Sequence, residues 1–184
     1  MRLEYKNNVQ KTVLTGVMAA VLAVLSLVSI PLPSGVPVTL QTFAVALCGF
    51  LLGPIMGMAA VAVYLVMGAV GLPVLAGMAG GFGHFLGMTG GFLWGFLPMA
   101  LLCGFGAWAG KKFLVVPLSL AGLAACHLLG TVQFAAVASM PLWAAFLTAS
   151  APYLIKDVIS VILAYFGALA IAAALKKAGL GGAA

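Results

Sequence analysis

Apolar residues run almost unbroken through this sequence, and the breaks are made by proline, glycine and paired lysines rather than by alternating polar positions. Strands of a transmembrane barrel alternate apolar and polar residues, so continuous runs predict helices instead. The first run, 12–30, stops at Pro31, Pro33, Ser34, Gly35 and Pro37, where repeated prolines deny the backbone its helical donors. A short second helix, 40–52, turns at Gly53-Pro54 into a third, 55–70. Residues 71–91 then hold Pro73 together with Gly71, Gly77, Gly80, Gly81, Gly83, Gly87, Gly90 and Gly91. That density predicts non-helical backbone, which a bilayer tolerates only where it is buried in protein or lines an aqueous cavity. Further helices are predicted over 92–109, 113–137 and 153–175, with a loop or interfacial turn over 140–152 that carries Trp143.

Composition changes this from a list of helices into a membrane protein. Of 184 residues 65% are hydrophobic and 5% charged, and no Asp, Glu, Lys or Arg occurs between Lys11 and Lys111. A soluble domain is roughly a quarter charged, and a chain this poor in charge cannot cover its own surface in water. At about 20 apolar residues per crossing the length allows about five to seven spans, so the chain reads as a single transmembrane domain over 1–184, multi-pass in the cell membrane. Residues 12–30 exceed the usual apolar region of a signal peptide and no small-residue cleavage site follows them, so they read as a retained helix. The net charge of +6 comes from lysines and one arginine scattered at segment ends, not from a clustered basic face, which excludes nucleic-acid binding. Cys48, Cys103 and Cys126 lie in apolar runs without paired spacing, so neither a disulfide framework nor a metal site is expected.

The cations also set the topology, because cytoplasmic segments near span ends are enriched in Lys and Arg. Arg2, Lys6 and Lys11 precede the first helix, Lys111-Lys112 follow the fourth and Lys176-Lys177 the sixth. An even count of six helices puts all three clusters on one side, with both termini cytoplasmic. The proline loop, the glycine-rich segment and the Trp143 segment then gather outside.

Lys156 and Asp157 fall outside this scheme, near the outer start of the last helix. An ionised group in a span costs about 2.5–3.5 kcal/mol on insertion scales and usually faces a cavity and a partner. Asp157 lies about 8 Å along the axis if the helix starts near Pro152, which is vestibule depth. Snorkelling of both groups to the interface, with Asp157 favoured by the positive helix N-terminus, is the structural alternative. Apart from Glu4, Asp157 is the sole acid in the chain, which favours function. Adjacent residues on a helix point about 100° apart, so the pair is expected to contact two different things.

Three outer loops, one acid and one cation predict an outward-facing site for a small ligand with a donor end and an anionic end. Phe82, Phe85, Met88, Phe92, Trp94 and Tyr153 are available as walls, although each taken singly also suits ordinary packing. Thr39 and Gln41 stand where the proline loop enters the second helix, and the Gln41 amide either caps local backbone or binds the ligand. His84 and His127 lack metal-ligand spacing and read as packing or backbone-bonded histidines. On the first helix Thr15, Ala19 and Ala23 recur every four residues, widened by Gly16 and Ala20, as a smooth strip for another helix inside or outside the bundle. A Walker loop is missing: around Gly110-Lys111, Phe105 replaces the first glycine and Lys112 the hydroxyl residue. So are a zinc-protease helix, a Gly-x-Ser-x-Gly elbow and a second carboxylate to pair with Asp157.

Four blocks in order carry a resemblance: Val36-Pro37-Val38-Thr39-Leu40-Gln41, Gly53-Pro54, Gly71-Leu72-Pro73-Val74-Leu75-Ala76-Gly77 and Gly87-Met88-Thr89-Gly90-Gly91-Phe92-Leu93-Trp94-Gly95-Phe96. Together they resemble the BioY family, the biotin-binding S-components of energy-coupling factor transporters, over nearly the whole chain. The resemblance implies a six-helix S-component fold and high-affinity capture of biotin from outside. It implies partnership with a membrane T-component and two cytoplasmic ATPase subunits, which alone use ATP, so no cofactor is expected here. It gives the helix-1 strip a role as well, since an Ala-x-x-x-Ala strip docks the T-component in S-components and Ala19 and Ala23 match it. The chain departs from the family at Met88, where a proline is usual, and at Phe92, where a tyrosine is usual. Ser160 takes the place of a lysine three residues after the acid, Lys156 precedes the acid instead, and no arginine occurs in the glycine-rich segment or the fourth helix.

Biotin suits the site read from the residues. Its ureido ring offers two N–H donors to a carboxylate, a charge-assisted arrangement, while its thiophane ring wants apolar walls and its carboxylate a cation or backbone amides. Asp157 and Gln41 are therefore expected at the ureido end. Lys156, or amides of the glycine-rich segment such as Gly80 and Gly81, are expected at the tail, with Thr39, Phe85, Phe92, Trp94 and Tyr153 around the ligand. Two other readings remain: an S-component or solitary carrier for another vitamin, and an intramembrane enzyme using Asp157, His127 and Cys126. The enzyme reading requires His127, about 15 Å from the outer end of its helix, to lie level with the much shallower Asp157.

Overall fold

A computed structural model describes residues 7–32 and 35–178; Arg2, Glu4, Lys6, Pro33 and Ser34 lie outside the described residues. Helix α1 (Asn8–Leu27) leads into a two-stranded hairpin, β1 (Ser29–Ile30) and β2 (Val38–Thr39), followed by α2 (Gln41–Leu52) and α3 (Pro54–Ala69). The glycine-rich segment contains a 3-10 turn and the four-residue α4 (Gly83–Leu86) before α5 (Gly90–Trp108). A further 3-10 turn precedes α6 (Val115–Val137), and a short α7 (Leu142–Ala149) connects it to α8 (Ala151–Lys177). Among the described residues four stretches are long and apolar enough to cross a membrane: α1, α5, α8, and α6 with the turn before it. Helices α2 and α3 are apolar but shorter.

Two of the predicted segments take a different form. The first helix stops at Leu27 rather than Ile30, because Ser29 and Ile30 pair antiparallel with Thr39 and Val38 and carry the proline loop as a hairpin. The fold is thus helical with one small strand pair. The 140–152 segment is not a plain loop: Leu142–Ala149 is helical, and the Ser150 hydroxyl meets the Thr131 hydroxyl of α6 at 2.7 Å. Ser150 therefore lies level with a residue six positions before the end of α6, so α7 carries the chain back alongside α6 before α8 begins.

The long helices alternate in direction. The C-terminal end of α1 is held at the glycine-rich segment, where the Ser26 hydroxyl donates to the Val74 carbonyl. Helix α2 runs the other way and ends at Gly53, whose positive φ of 84° and contact with the Trp108 ring both exclude a side chain. Pro54 then starts α3 at its first turn, where a missing N–H costs nothing. Helix α3 returns to place Gly68 on Leu75.

Helix α2 forms the centre of the bundle. Every residue of it except Phe43 is buried, and it packs against α1, α3, α5 and α8. The most extensive helix pair is α5 with α6, and glycine sets its spacing. A Cβ at Gly95 would stand 2.6 Å from the Cys126 Cα, and one at Gly91 would collide with the Leu129 carbonyl. With no hydrophobic force between helices in lipid, such close backbone approach supplies the packing attraction.

On α1, Ala19 is 1% exposed and Ala23 packs partly buried against the core. The strip read as a docking face thus turns inward at Ala19, because Met18, Ala19 and Leu22 form the buried face of α1. Gly16 and Ala20, read as its widening, are exposed instead, and a Cβ at Gly16 would meet nothing within 4 Å.

Replacing Gly95 by valine is expected to force α5 and α6 apart and to lower stability by about 1–3 kcal/mol or more. Gly16→Ala, in open space, should leave it nearly unchanged, and thermal unfolding of the two variants in detergent compares them directly.

Candidate functional site

A cavity of about 250 Å³ opens where the hairpin, the glycine-rich segment and the starts of α2, α5 and α8 converge. Its polar wall comes from Thr39, Gln41, Thr42, His127, Lys156 and Asp157. Its apolar wall comes largely from Phe92, Leu93 and Phe96 of α5, Leu123 of α6, and Tyr153 of α8. The hairpin contributes Gly35, Val36 and Pro37, and the glycine-rich segment Leu75, Ala76 and Ala79.

Asp157 is 5% exposed. Its Oδ2 lies 3.2 Å from His127 Nε2, and Lys156 Nζ contacts its Oδ1. Lys156 Nζ also donates to the Thr39 carbonyl at 3.1 Å, and the Tyr153 hydroxyl donates to the Val36 carbonyl. Two side chains of α8 thus fasten the hairpin over the cavity. A buried carboxylate with no counter-charge is strongly destabilising, and the long stem of Lys156 supplies that counter-charge from the neighbouring position. The adjacent pair, expected to face different partners, in fact contact each other.

The Gln41 side-chain amide is engaged by side chains rather than by local backbone. The Gln41 backbone N–H donates to Thr39 Oγ1 at 3.3 Å, and its Nε2 donates to the Tyr64 hydroxyl at 2.7 Å. The side chain still lines the cavity. Thr39 Oγ1 in turn donates to Gln41 Oε1 at 3.1 Å. These bonds fix the amide before any ligand arrives, so its orientation costs little on binding.

A second cavity, of about 390 Å³, adjoins the first through the shared residues Gly35, His84 and Thr89 and is otherwise lined by Gly80, Gly83, Gly87 and Met88. The glycine-rich backbone between the cavities is pinned to α6 by Gln133, whose Nε2 donates to the Phe85 and Gly87 carbonyls at 2.8 Å each.

Of the residues read from the sequence as a site, Thr39, Gln41, Phe92, Tyr153, Lys156 and Asp157 line the main cavity and Gly80 the adjoining one. Gly81, Phe85 and Trp94 line neither. Phe85 is buried in an aromatic cluster with Phe82 and Trp94, and Trp94 is 42% exposed on the outer side of α5.

His127 was read as a packing residue too deep to reach Asp157, and this is corrected. The return of α7 alongside α6 starts α8 short of the C-terminal end of α6, so the two residues meet. Cys126 lines the same cavity, with its thiol 3.7 Å from the Phe92 carbonyl. Depth alone therefore does not separate these three groups. Thr42, one residue beyond Gln41, is a further polar wall residue that sequence reading missed.

Comparison with known proteins adds to this geometry. The sequence matches the BioY family over residues 1–177. It is 38% identical over 168 residues to the biotin transporter BioY of Rhodobacter capsulatus, covering 82% of this chain and 86% of that protein. It is 37% identical over 125 residues to a probable biotin transporter BioY of Pyrococcus horikoshii, covering 67% and 73%. A crystal structure of the S-component for biotin from an ECF-type ABC transporter superposes with a TM-score of 0.78 at 27% identity, over 90% of this chain and 93% of that one. With the family match running from residue 1 to 177 and relatives alike over most of their length, this chain belongs to the BioY family.

Proposed function

We propose that this chain captures biotin in the main cavity and serves as the substrate-binding subunit of an energy-coupling factor transporter. Its partners in that reading are a membrane T-component and two cytoplasmic ATPase subunits. The observation that carries it is the placement of the one acid among the described residues, buried at 5% exposure in a cavity of about 250 Å³ with apolar and aromatic walls. The relatives' names and the structural neighbour support the same ligand.

An ionised carboxylate has about four lone-pair directions. Lys156 and His127 occupy one contact on each oxygen, which leaves acceptor capacity for the ureido N–H donors. Gln41 and Thr42 stand on the same wall. Lys156 is engaged by Asp157 and the Thr39 carbonyl, so the valerate tail points the other way, toward the glycine-rich segment and the adjoining cavity. The thiophane ring then lies against Phe92, Leu93 and Phe96. With Phe92 in place of tyrosine, that contact is apolar.

Six spans with both termini cytoplasmic fit the alternation of the long helices. Lys111, Lys112 and Lys176 line one cleft at the end opposite the cavity, and Lys11 lies at the start of α1, whose other end reaches the cavity side. Helices α2 and α3, about 18 and 24 Å long at the helical rise, cross as an antiparallel pair joined at Gly53-Pro54. Docking of the T-component is assigned to the exposed Gly16 and Ala20 rather than to the buried Ala19. An enzyme would turn over a substrate when purified alone, whereas a capture subunit only binds.

Asp157→Asn is expected to weaken biotin binding at least about tenfold, the scale of one charge-assisted hydrogen bond, while Trp94→Ala leaves affinity unchanged. Calorimetric titration with biotin, riboflavin and thiamin in parallel tests both the residue and the vitamin; tight binding of either alternative, or unchanged affinity in the asparagine variant, rules the assignment out. Ala20→Trp should abolish ATP-driven uptake in vesicles containing the whole transporter yet keep biotin affinity within about twofold, since a surface substitution away from the cavity shifts stability by only a few tenths of a kcal/mol.

A further inference from the structure

At the end opposite the binding cavity a cleft of about 340 Å³ separates α8 from the end of α5 and the start of α6. One wall is a single face of α8. Tyr165, Leu169, Ala172, Ala173 and Lys176 recur there at helical spacing and span about 16 Å at the helical rise. The opposite wall is low because it is made of small residues, Gly106, Ala107 and Gly110, with Val115 beyond them. The cleft stays open because α8 packs chiefly on α2 and touches α6 only over a short stretch.

Charge is confined to one end of this cleft. Lys111 and Lys112 reach it from the α5–α6 connection and Lys176 from the last turn of α8, and all three are exposed. Among the described residues the sole acid is Asp157, which is buried at the other cavity. The three lysines therefore present uncompensated positive charge at the mouth of an apolar slot. Enrichment of lysine at cytoplasmic span ends accounts for cations in this region. It does not account for two separate helix ends bringing three of them around one slot while the neighbouring Lys177 stays outside it.

We propose that this cleft binds an anionic phospholipid. The phosphate headgroup sits among Lys111, Lys112 and Lys176, and an acyl chain lies along Leu169, Ala172 and Ala173. Basic pockets between transmembrane helices take such headgroups, and an amphiphile matches a slot that is charged at one end and apolar along its length. A soluble anion matches the lysines alone. The site is independent of the biotin reading.

Native mass spectrometry of the full chain, released from detergent in the presence of phosphatidylglycerol or phosphatidylcholine, tests the proposal. One phosphatidylglycerol is expected to stay bound in preference to phosphatidylcholine. Neutralising Lys111, Lys112 and Lys176 to glutamine should weaken its retention about fivefold per lysine and about a hundredfold together, the scale of a basic residue at an anionic surface. Ala173→Phe fills the slot without touching charge and should remove the lipid as well, whereas Lys177→Gln should not. Thermal unfolding midpoints confirm that each variant is folded, and the single-lysine variants keep the test open if Ala173→Phe misfolds. Equal retention of the two lipids overturns the proposal, as does a loss from Lys177→Gln equal to that from Lys176→Gln. Displacement by glycerol phosphate at the concentration of the lipid also overturns it, because the site then reads a free anion.

Discussion

Burying one carboxylate in a chain that has almost no other charge imposes most of the arrangement around it. Asp157 cannot stay ionised inside a helix bundle without compensation, and the compensation comes from His127 on α6 and from Lys156 one position away on α8. Lys156 then reaches the hairpin through the Thr39 carbonyl. A single acid thus ties α8, α6 and the hairpin to one point, and that point lies on the wall of the main cavity. The groups that make the acid tolerable also close the cavity, so in the proposed function stability and ligand capture draw on the same side chains.

Glycine supplies the second constraint. Close contact of α5 with α6 depends on Gly91 and Gly95 meeting backbone rather than side chain. That contact holds the Phe92, Leu93 and Phe96 face opposite the Leu123, Cys126 and His127 face, so the width of the cavity follows from it. The irregular backbone before α5 is held by Gln133, an uncharged side chain that satisfies two carbonyls. A bilayer penalises unsatisfied backbone groups heavily, and one amide on α6 meets that requirement for two carbonyls of the turn that leads into α5, beside the turn's own backbone bonds.

Much of this was legible in the sequence. Apolar run length and the Gly53-Pro54 break placed the long helices to within a few residues, and the isolation of Asp157 picked out the residue at the centre of the polar wall. What was not legible came from the path of the chain between helices. Nothing in Leu142–Ala149 announces that it turns back alongside α6, and that return is what brings His127 to Asp157. The aromatic residues of the glycine-rich segment and of the start of α5 carried no sign of which side they face, so Phe85 and Trp94 could not be told from Phe92. On α1 every residue from Val17 to Leu25 is small or aliphatic, and only packing distinguishes the inward Ala19 from the outward Ala20. Composition gives the amount of apolar surface in a span, whereas its rotation is set by neighbours.

The burial of α2 on nearly every side has a consequence for how the protein meets membranes of different thickness. Helices that face lipid must adjust to the hydrocarbon core by tilting or by deforming the bilayer around them, and here that burden falls on α1, α3, α5, α6 and α8. Helix α2, too short to match a bilayer by itself, is surrounded by protein and experiences no such mismatch. Because α2 begins at Gln41 and Thr42, the part of the cavity wall they form is shielded from lipid, whereas the parts carried by α5, α6 and α8 stand on helices that meet the bilayer directly.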